Sequence, residues 1–232
     1  MIDIRVLASG STGNCYLLDD GESPLLIEAG IRFPLIQQGV GFTIARLAGC
    51  LVSHSHADHC KAVKDLAHRG VDVYLSKETM ATLGVFGHCY HVVEPRKLYR
   101  IGRWQVLPFE TEHDAEGSLG FVIEHGTEKI VYLTDTCYSR YTFTGMTKLL
   151  IEANFDPEIL RENVASGEVD RSLKRRVYGN HLSIDRVLDF LRANDLSKLQ
   201  EVVLIHLSDS NSDAEEFKHR VAEVVGVPVF VA

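Results

Sequence analysis

Four side chains able to bind a metal fall within six positions of Ser53-His54-Ser55-His56-Ala57-Asp58-His59. Imidazole and carboxylate donors at this density suit zinc, iron or manganese at neutral pH. The stretch follows a short apolar run at 50–52, so a buried strand would deliver three rings and one carboxylate into a single loop. Two dications need about seven or eight ligand contacts, bridges included, and a binuclear site must therefore recruit donors from elsewhere. Candidates recur at the ends of other apolar runs. His113 follows Leu107-Pro108-Phe109, Asp135 ends Ile130-Val131-Tyr132-Leu133-Thr134, and His206 ends Val202-Val203-Leu204-Ile205. Singly, these read as a loop histidine, a turn former and a core histidine. Beside the HxHxDH loop they become a set, because the loops at strand ends are where an α/β active site is built.

The elements that would hold these residues are short. Strands are expected at 2–8, 15–18, 25–27, 50–52, 71–75, 90–93, 105–107, 121–124 and 130–133, separated by Gly, Asn and Asp punctuation. Later strands are expected at 149–151, 202–205 and 227–231. Helices are expected at 33–40, around Ala62, Val63, Leu66 and Ala67 with Gly70 as the stop, and on the stripe Ile184, Val187, Leu188 and Leu191 with Ser183 as N-cap. A last helix opens at Ser212-Asp213-Ala214-Glu215, read as a capping box, and closes at Gly226. One α/β domain over 1–232, with sheet inside and helices outside, is the economical architecture.

Composition narrows the classes. The 232 residues are 45% hydrophobic and 24% charged, with a net charge of −8, which suits a packed domain and excludes intrinsic disorder. An acidic balance argues against nonspecific coating of nucleic acid. No apolar stretch approaches the roughly 20 residues of a membrane span. Met1-Ile2-Asp3-Ile4-Arg5 lacks the basic and apolar regions of a signal peptide, so a cytoplasmic protein is expected. The five cysteines are scattered without a CxxC and read as reduced, buried thiols.

With these residues in view, the chain resembles the metallo-β-lactamase superfamily of binuclear hydrolases over nearly its whole length. Within it, the YycJ/WalJ-type, ribonuclease Z-related branch is the nearest match. The narrower resemblance is carried by Leu7-Ala8-Ser9-Gly10-Ser11-Thr12-Gly13-Asn14, His113-Asp114-Ala115, Leu133-Thr134-Asp135-Thr136, Glu152-Ala153-Asn154-Phe155-Asp156, Leu173-Lys174-Arg175-Arg176, Asn180-His181-Leu182-Ser183 and His206-Leu207-Ser208. It implies a four-layer αββα sandwich with His54, His56 and His113 on one metal, Asp58, His59 and His206 on a second, and Asp135 bridging. The metals implied are two divalent ions, Zn2+ first with Mn2+ as the alternative. Glu28 departs from the pattern, since such proteins carry Asp there to support the metal loop.

The resemblance also assigns roles. His181 is similar to the histidine that ribonuclease Z-type phosphodiesterases place opposite the metals, where it can protonate a leaving alcohol. Asp58 would hold or accept the proton of the attacking water, and Asp114 is a candidate partner for a ligand imidazole. The expected activity is phosphodiester hydrolysis in DNA or RNA, with a cyclic-nucleotide or other small-molecule phosphodiesterase as the alternative. A noncatalytic binding protein fits a complete ligand set poorly. The expected partners are a nucleic acid or nucleotide substrate and a second copy of the chain in a homodimer, but no membrane. Three further features carry two readings each. The 9–14 loop is a phosphate cradle or a tight turn, Lys174-Arg175-Arg176 a backbone contact or a solvated face, and His88-Cys89-x-His91 a stray metal site or strand residues on alternating sides. Cys60 and Trp104 read as packing residues.

Overall fold

The N-terminal strands pair antiparallel before the order turns parallel, and the 53–59 loop follows a parallel strand. The computed structural model describes residues 2–232, which divide into two compact units, 2–110 with Ala115–Glu128, and Thr111–Asp114 with Lys129–Ala232. In the first, β1 (Asp3–Ala8), β2 (Cys15–Asp19) and β3 (Leu25–Ile27) form an antiparallel meander. The sheet continues in parallel after α1 (Phe33–Gly39), through β4 (Gly49–Leu51), β5 (Val73–Leu75) and β6 (Tyr90–Val92). The intervening crossovers carry α2 (Ala57–Cys60), α3 (Val63–His68) and α4 (Lys77–Leu83). β2, β3 and β4 are almost wholly buried, as continuous apolar runs covered on both faces must be. Leu17, Leu26, Cys50, Val52, Val63 and Leu66 pack together in this core. β7 (Tyr99–Ile101), β8 (Trp104–Glu110) and β9 (Leu119–His125) make an antiparallel ladder, with Trp104 fully buried and its indole N–H donating to the Ser23 carbonyl.

In the second unit, β10 (Glu128–Leu133), β11 (Lys148–Glu152), β12 and β13 run parallel in that order, where β12 is Glu201–Ile205 and β13 is Val229–Val231. Between β11 and β12 lie α5 (Pro157–Ser166), α6 (Arg171–Asn180) and α7 (Ile184–Ala193), and α8 (Ala214–Val225) precedes β13. Ser183 caps α7 as expected, accepting from the Arg186 amide. At α8 the cap is Asp213, which accepts from the Glu216 amide; Ser212 instead donates to the Ser208 carbonyl. A carboxylate one position later does the work that the capping-box reading gave to Ser212. No described helix is long and apolar enough to cross a membrane.

Strand and helix positions otherwise follow the apolar runs, with ends displaced by a few residues. β7, α2, α4, α5 and α6 have no counterpart among the expected elements. α6 carries only Leu173 and Val177 as an apolar pair at i, i+4, with Val177 packed on Phe155, Leu160 and Val169, a stripe too short to mark a helix. By contrast, α5 carries a readable start in Asp156-Pro157, the Asp156 carboxylate accepting from Glu158 and Ile159.

Candidate metal centre

The first unit gathers the loop donors. Beyond β4 the chain enters His54, buried with its neighbour Ser53, whose hydroxyl lies 2.8 Å from His54 Nδ1. The His54 ring sits 4.7 Å from that of His56 and 4.2 Å from that of His59. His59 Nε2 is 3.2 Å from Asp58 Oδ2. All four loop donors are thus side by side. Beneath them lies Glu28, wholly buried, whose carboxylate accepts from the Ser53 amide and approaches His59 Nδ1 at 3.4 Å. The departure from Asp is accommodated by this packing, and Glu28 supports the loop.

The 9–14 loop is held by hydrogen bonds at Gly10, Gly13 and Asn14. The Gly13 amide donates to the Gly10 carbonyl, the Gly10 amide to Asn14 Oδ1, and the Asn14 amide to the Asp58 carbonyl. The Asn14 side-chain amide donates toward Asp58 Oδ2 at 3.3 Å and lies 3.2 Å from His59 Nε2. Asn14 therefore orients two of the loop donors, a role that residue type alone did not suggest. Cys60 packs its thiol on the Ser55 and His56 carbonyls, and burial, with the Glu28 charge adding, pushes it up to about 11. It stays a thiol, as a packing residue should. The His88-Cys89-x-His91 stretch forms no donor group: His91 turns to Asp72, 2.9 Å away, and stacks on Tyr74.

Gly30 sets how closely the chain approaches this loop. A Cβ there would lie 1.6 Å from the Asp58 carbonyl oxygen and 2.7 Å from the Asn14 amide nitrogen, both already hydrogen-bonded to each other. Gly30→Ala must displace the loop, and a loss of about 3 kcal/mol or more is expected. Urea unfolding of the variant, with bound metal counted in parallel, checks both consequences.

The second unit gathers the strand-end donors. Ligand atoms of Asp135, Glu152, His181 and His206 all lie within 4.8 Å of one another. Asp135 and His206 leave their strands in left-handed backbone, φ 45° and 55°, as Glu28 does with φ 63° in the first unit. Such strain in non-glycine residues is held only where the surroundings dictate it, and it clusters at functional sites. Glu152, the last residue of β11 and fully buried, is the organiser. Its Oε1 is 2.6 Å from His181 Nδ1 and 3.3 Å from His206 Nδ1, while Oε2 accepts from the Leu182 and Thr136 amides. Each ring thereby engages a carboxylate through Nδ1, which leaves Nε2 as the nitrogen for a metal or a substrate.

His181 closes α6 and is locked from both sides. Its amide donates to the Val177 carbonyl, the Asn154 amide donates to the Leu182 carbonyl, and the Ile184 amide donates to that of Phe155. Its ring stacks on His206 at 5.5 Å and meets His113 edge-on at 6.0 Å. Burial pushes the imidazolium down, but the Glu152 carboxylate, by charge and hydrogen bond, and then Asp135 outweigh it, and the group is held above the ordinary histidine range. Burial likewise opposes charge on Glu152; the His181 imidazole beside it, and hydrogen bonds from His181 and His206, overcome burial and the Asp135 charge and keep it below the usual carboxylate range. Asp114 does partner His113, its Oδ1 lying 3.3 Å from Nε2, and is itself held by the Asn180 amide at 2.9 Å.

Each unit thus presents imidazole and carboxylate donors, buried and positioned by further hydrogen bonds, in a form that suits divalent metal ions. A family model described as the β-lactamase superfamily domain matches residues 24–163. The chain belongs to that superfamily. It is 29% identical to the exodeoxyribonuclease WalJ of Streptococcus pneumoniae serotype 2 (strain D39 / NCTC 7466), over 90% of this chain and 83% of the relative. It is 26% identical to the exodeoxyribonuclease YycJ of Bacillus anthracis, over 97% and 89%. The metallo-β-lactamase fold protein YhfI from Bacillus subtilis superposes with a TM-score of 0.75 at 15% identity, covering all of this chain and 96% of that one. The fold expected from the resemblance is the fold found.

Proposed function

We propose that this chain is a metal-dependent phosphodiesterase that degrades DNA from an end. The observation that carries the reading is the Glu152–His181 pair beside Asp135 and His206, because a hydrolase expelling an alkoxide needs a proton donor that is not itself required as a ligand. The names of the two relatives support DNA as the polymer and an exonucleolytic mode.

His54, His56 and His113 would hold one divalent ion, and Asp58, His59 and His206 the other, with Asp135 shared between them. When bound, the ions acidify water near neutral pH and offset the charge of the phosphate oxygens. Asp58, steered by Asn14, receives the proton of the attacking water. His181 delivers a proton from Nε2 to the departing oxygen, and Glu152 stabilises its charged form before that transfer. Zinc is the expected metal, since imidazole-rich sites suit it, and manganese is the competitor.

The test is a cleavage panel of single-stranded DNA, duplex DNA, RNA and 3′,5′-cyclic nucleotides with metal-reconstituted protein. Progressive shortening of end-labelled DNA, abolished by a chelator and restored by divalent metal, is the expected result. Turnover of cyclic nucleotides alone would overturn the DNA reading in favour of a small-molecule phosphodiesterase.

A further inference from the structure

α6 packs Val177 against Phe155, Leu160 and Val169 and carries a separate, cationic face. Arg171, Lys174, Arg175 and Tyr178 fall at i, i+3, i+4 and i+7 and so share one continuous face of the helix. Across from them, Arg161, Val164 and Ala165 occupy i, i+3 and i+4 of α5. Together these side chains line a cleft of about 640 Å³ that contains no acidic group. Among the described residues, none of its four cations has a carboxylate at ion-pair distance. Arg176, on another side of the helix, turns instead toward Asp114. The acids of the α5–α6 connection lie outside the lining, and Asp170 is spent as the α6 N-cap. Lys174 Nζ stands 5.8 Å over the Tyr178 ring, so a cation and an aromatic face are presented together.

Like charges at helical spacing repel, and in a chain of net charge −8 their concentration on one face asks for an anionic counterpart. A phosphodiester backbone supplies repeated negative charge that these cations can meet, while Tyr178, fixed by its edge-on contact with Phe155 at 4.9 Å, borders the cleft. The helix also points where such a strand must go, since α6 ends at His181. From Arg171 to His181 is about 15 Å along the axis, on the order of four nucleotide steps at duplex rise.

We infer that the α5–α6 cleft is the track along which the backbone of a single DNA strand is held as its end reaches His181. This rests on the nuclease reading for its substrate and adds a binding site outside the ligand set. The test replaces Arg171 and Arg175 together by Ala, both exposed and neither in a salt bridge among the described residues, in the metal-reconstituted full chain. Arg171 is the first residue of α6, where a cation opposes the helix dipole, so its loss leaves the helix intact, as a melting curve will verify. Binding is read by fluorescence anisotropy with a hydrolysis-resistant phosphorothioate strand of about twenty nucleotides. Affinity should fall about tenfold, and the salt dependence should lose about 1.4 in slope, the value for two phosphate contacts on a single strand. Turnover of bis(4-nitrophenyl) phosphate should not change. Unchanged affinity and slope overturn the track and leave the nuclease reading in place. Lost affinity in a protein that cleaves no DNA supports the binding surface and overturns the nuclease reading instead.

Discussion

His181→Ala should slow DNA hydrolysis by about 10²–10⁴-fold, the usual worth of a positioned general acid, with both metals still bound. The ring is locked by the α6 terminus and by Glu152, and its Nδ1 is taken up in that contact, so the proton to be transferred sits on Nε2. A deoxyribose oxygen leaves as a strong base and needs that proton, whereas 4-nitrophenolate leaves as a weak one. The variant should therefore retain most of its activity on bis(4-nitrophenyl) phosphate. The contrast between the two substrates is the useful reading, because a general loss of structure would lower both together. Equal losses on both would contradict the assignment of His181 as proton donor.

Glu152→Gln should act on two partners at once. The carboxylate faces His181 and His206 and accepts from two backbone amides, and an amide side chain can satisfy only part of that set. Loss of stability of about 1–3 kcal/mol follows from the donors left poorly paired. Metal affinity should fall about 10–100-fold, the common effect of removing a carboxylate behind a ligand histidine. In a His181→Ala background the substitution should add little to the leaving-group-dependent loss, since it acts there through the missing ring, but it should still weaken metal binding through His206. Chemical denaturation, metal titration and the two substrates separate these effects. Full additivity on DNA would show that Glu152 does not work through His181.

Several of the proposed ligands were legible because they sit where an apolar run stops, and a polar side chain at a strand end faces the loops rather than the core. His54, Asp135 and His206 all obey that pattern. Glu152 obeys it too, ending a fully buried strand, yet its role depends on two histidines 29 and 54 positions later, and nothing local announces the contact. Asn14 was hidden for the same reason, since its partners Asp58 and His59 lie 44 and 45 positions away. The left-handed backbone of Glu28, Asp135 and His206 has no signature in residue type, because the surrounding structure imposes it. α6 escaped because its apolar side is only Leu173 and Val177 amid charged residues, and its cationic face makes it the candidate strand track. Where the resemblance and local physics disagreed, as at Glu28, the buried carboxylate kept the supporting contact with a longer side chain.

The most direct measurement is digestion of singly end-labelled DNA by the metal-reconstituted protein, with the metal content of the same sample determined. The account predicts two divalent ions per chain and stepwise release of nucleotides from an end, lost on chelation and in His181→Ala. Two bound ions with no release of nucleotides from any DNA would contradict it.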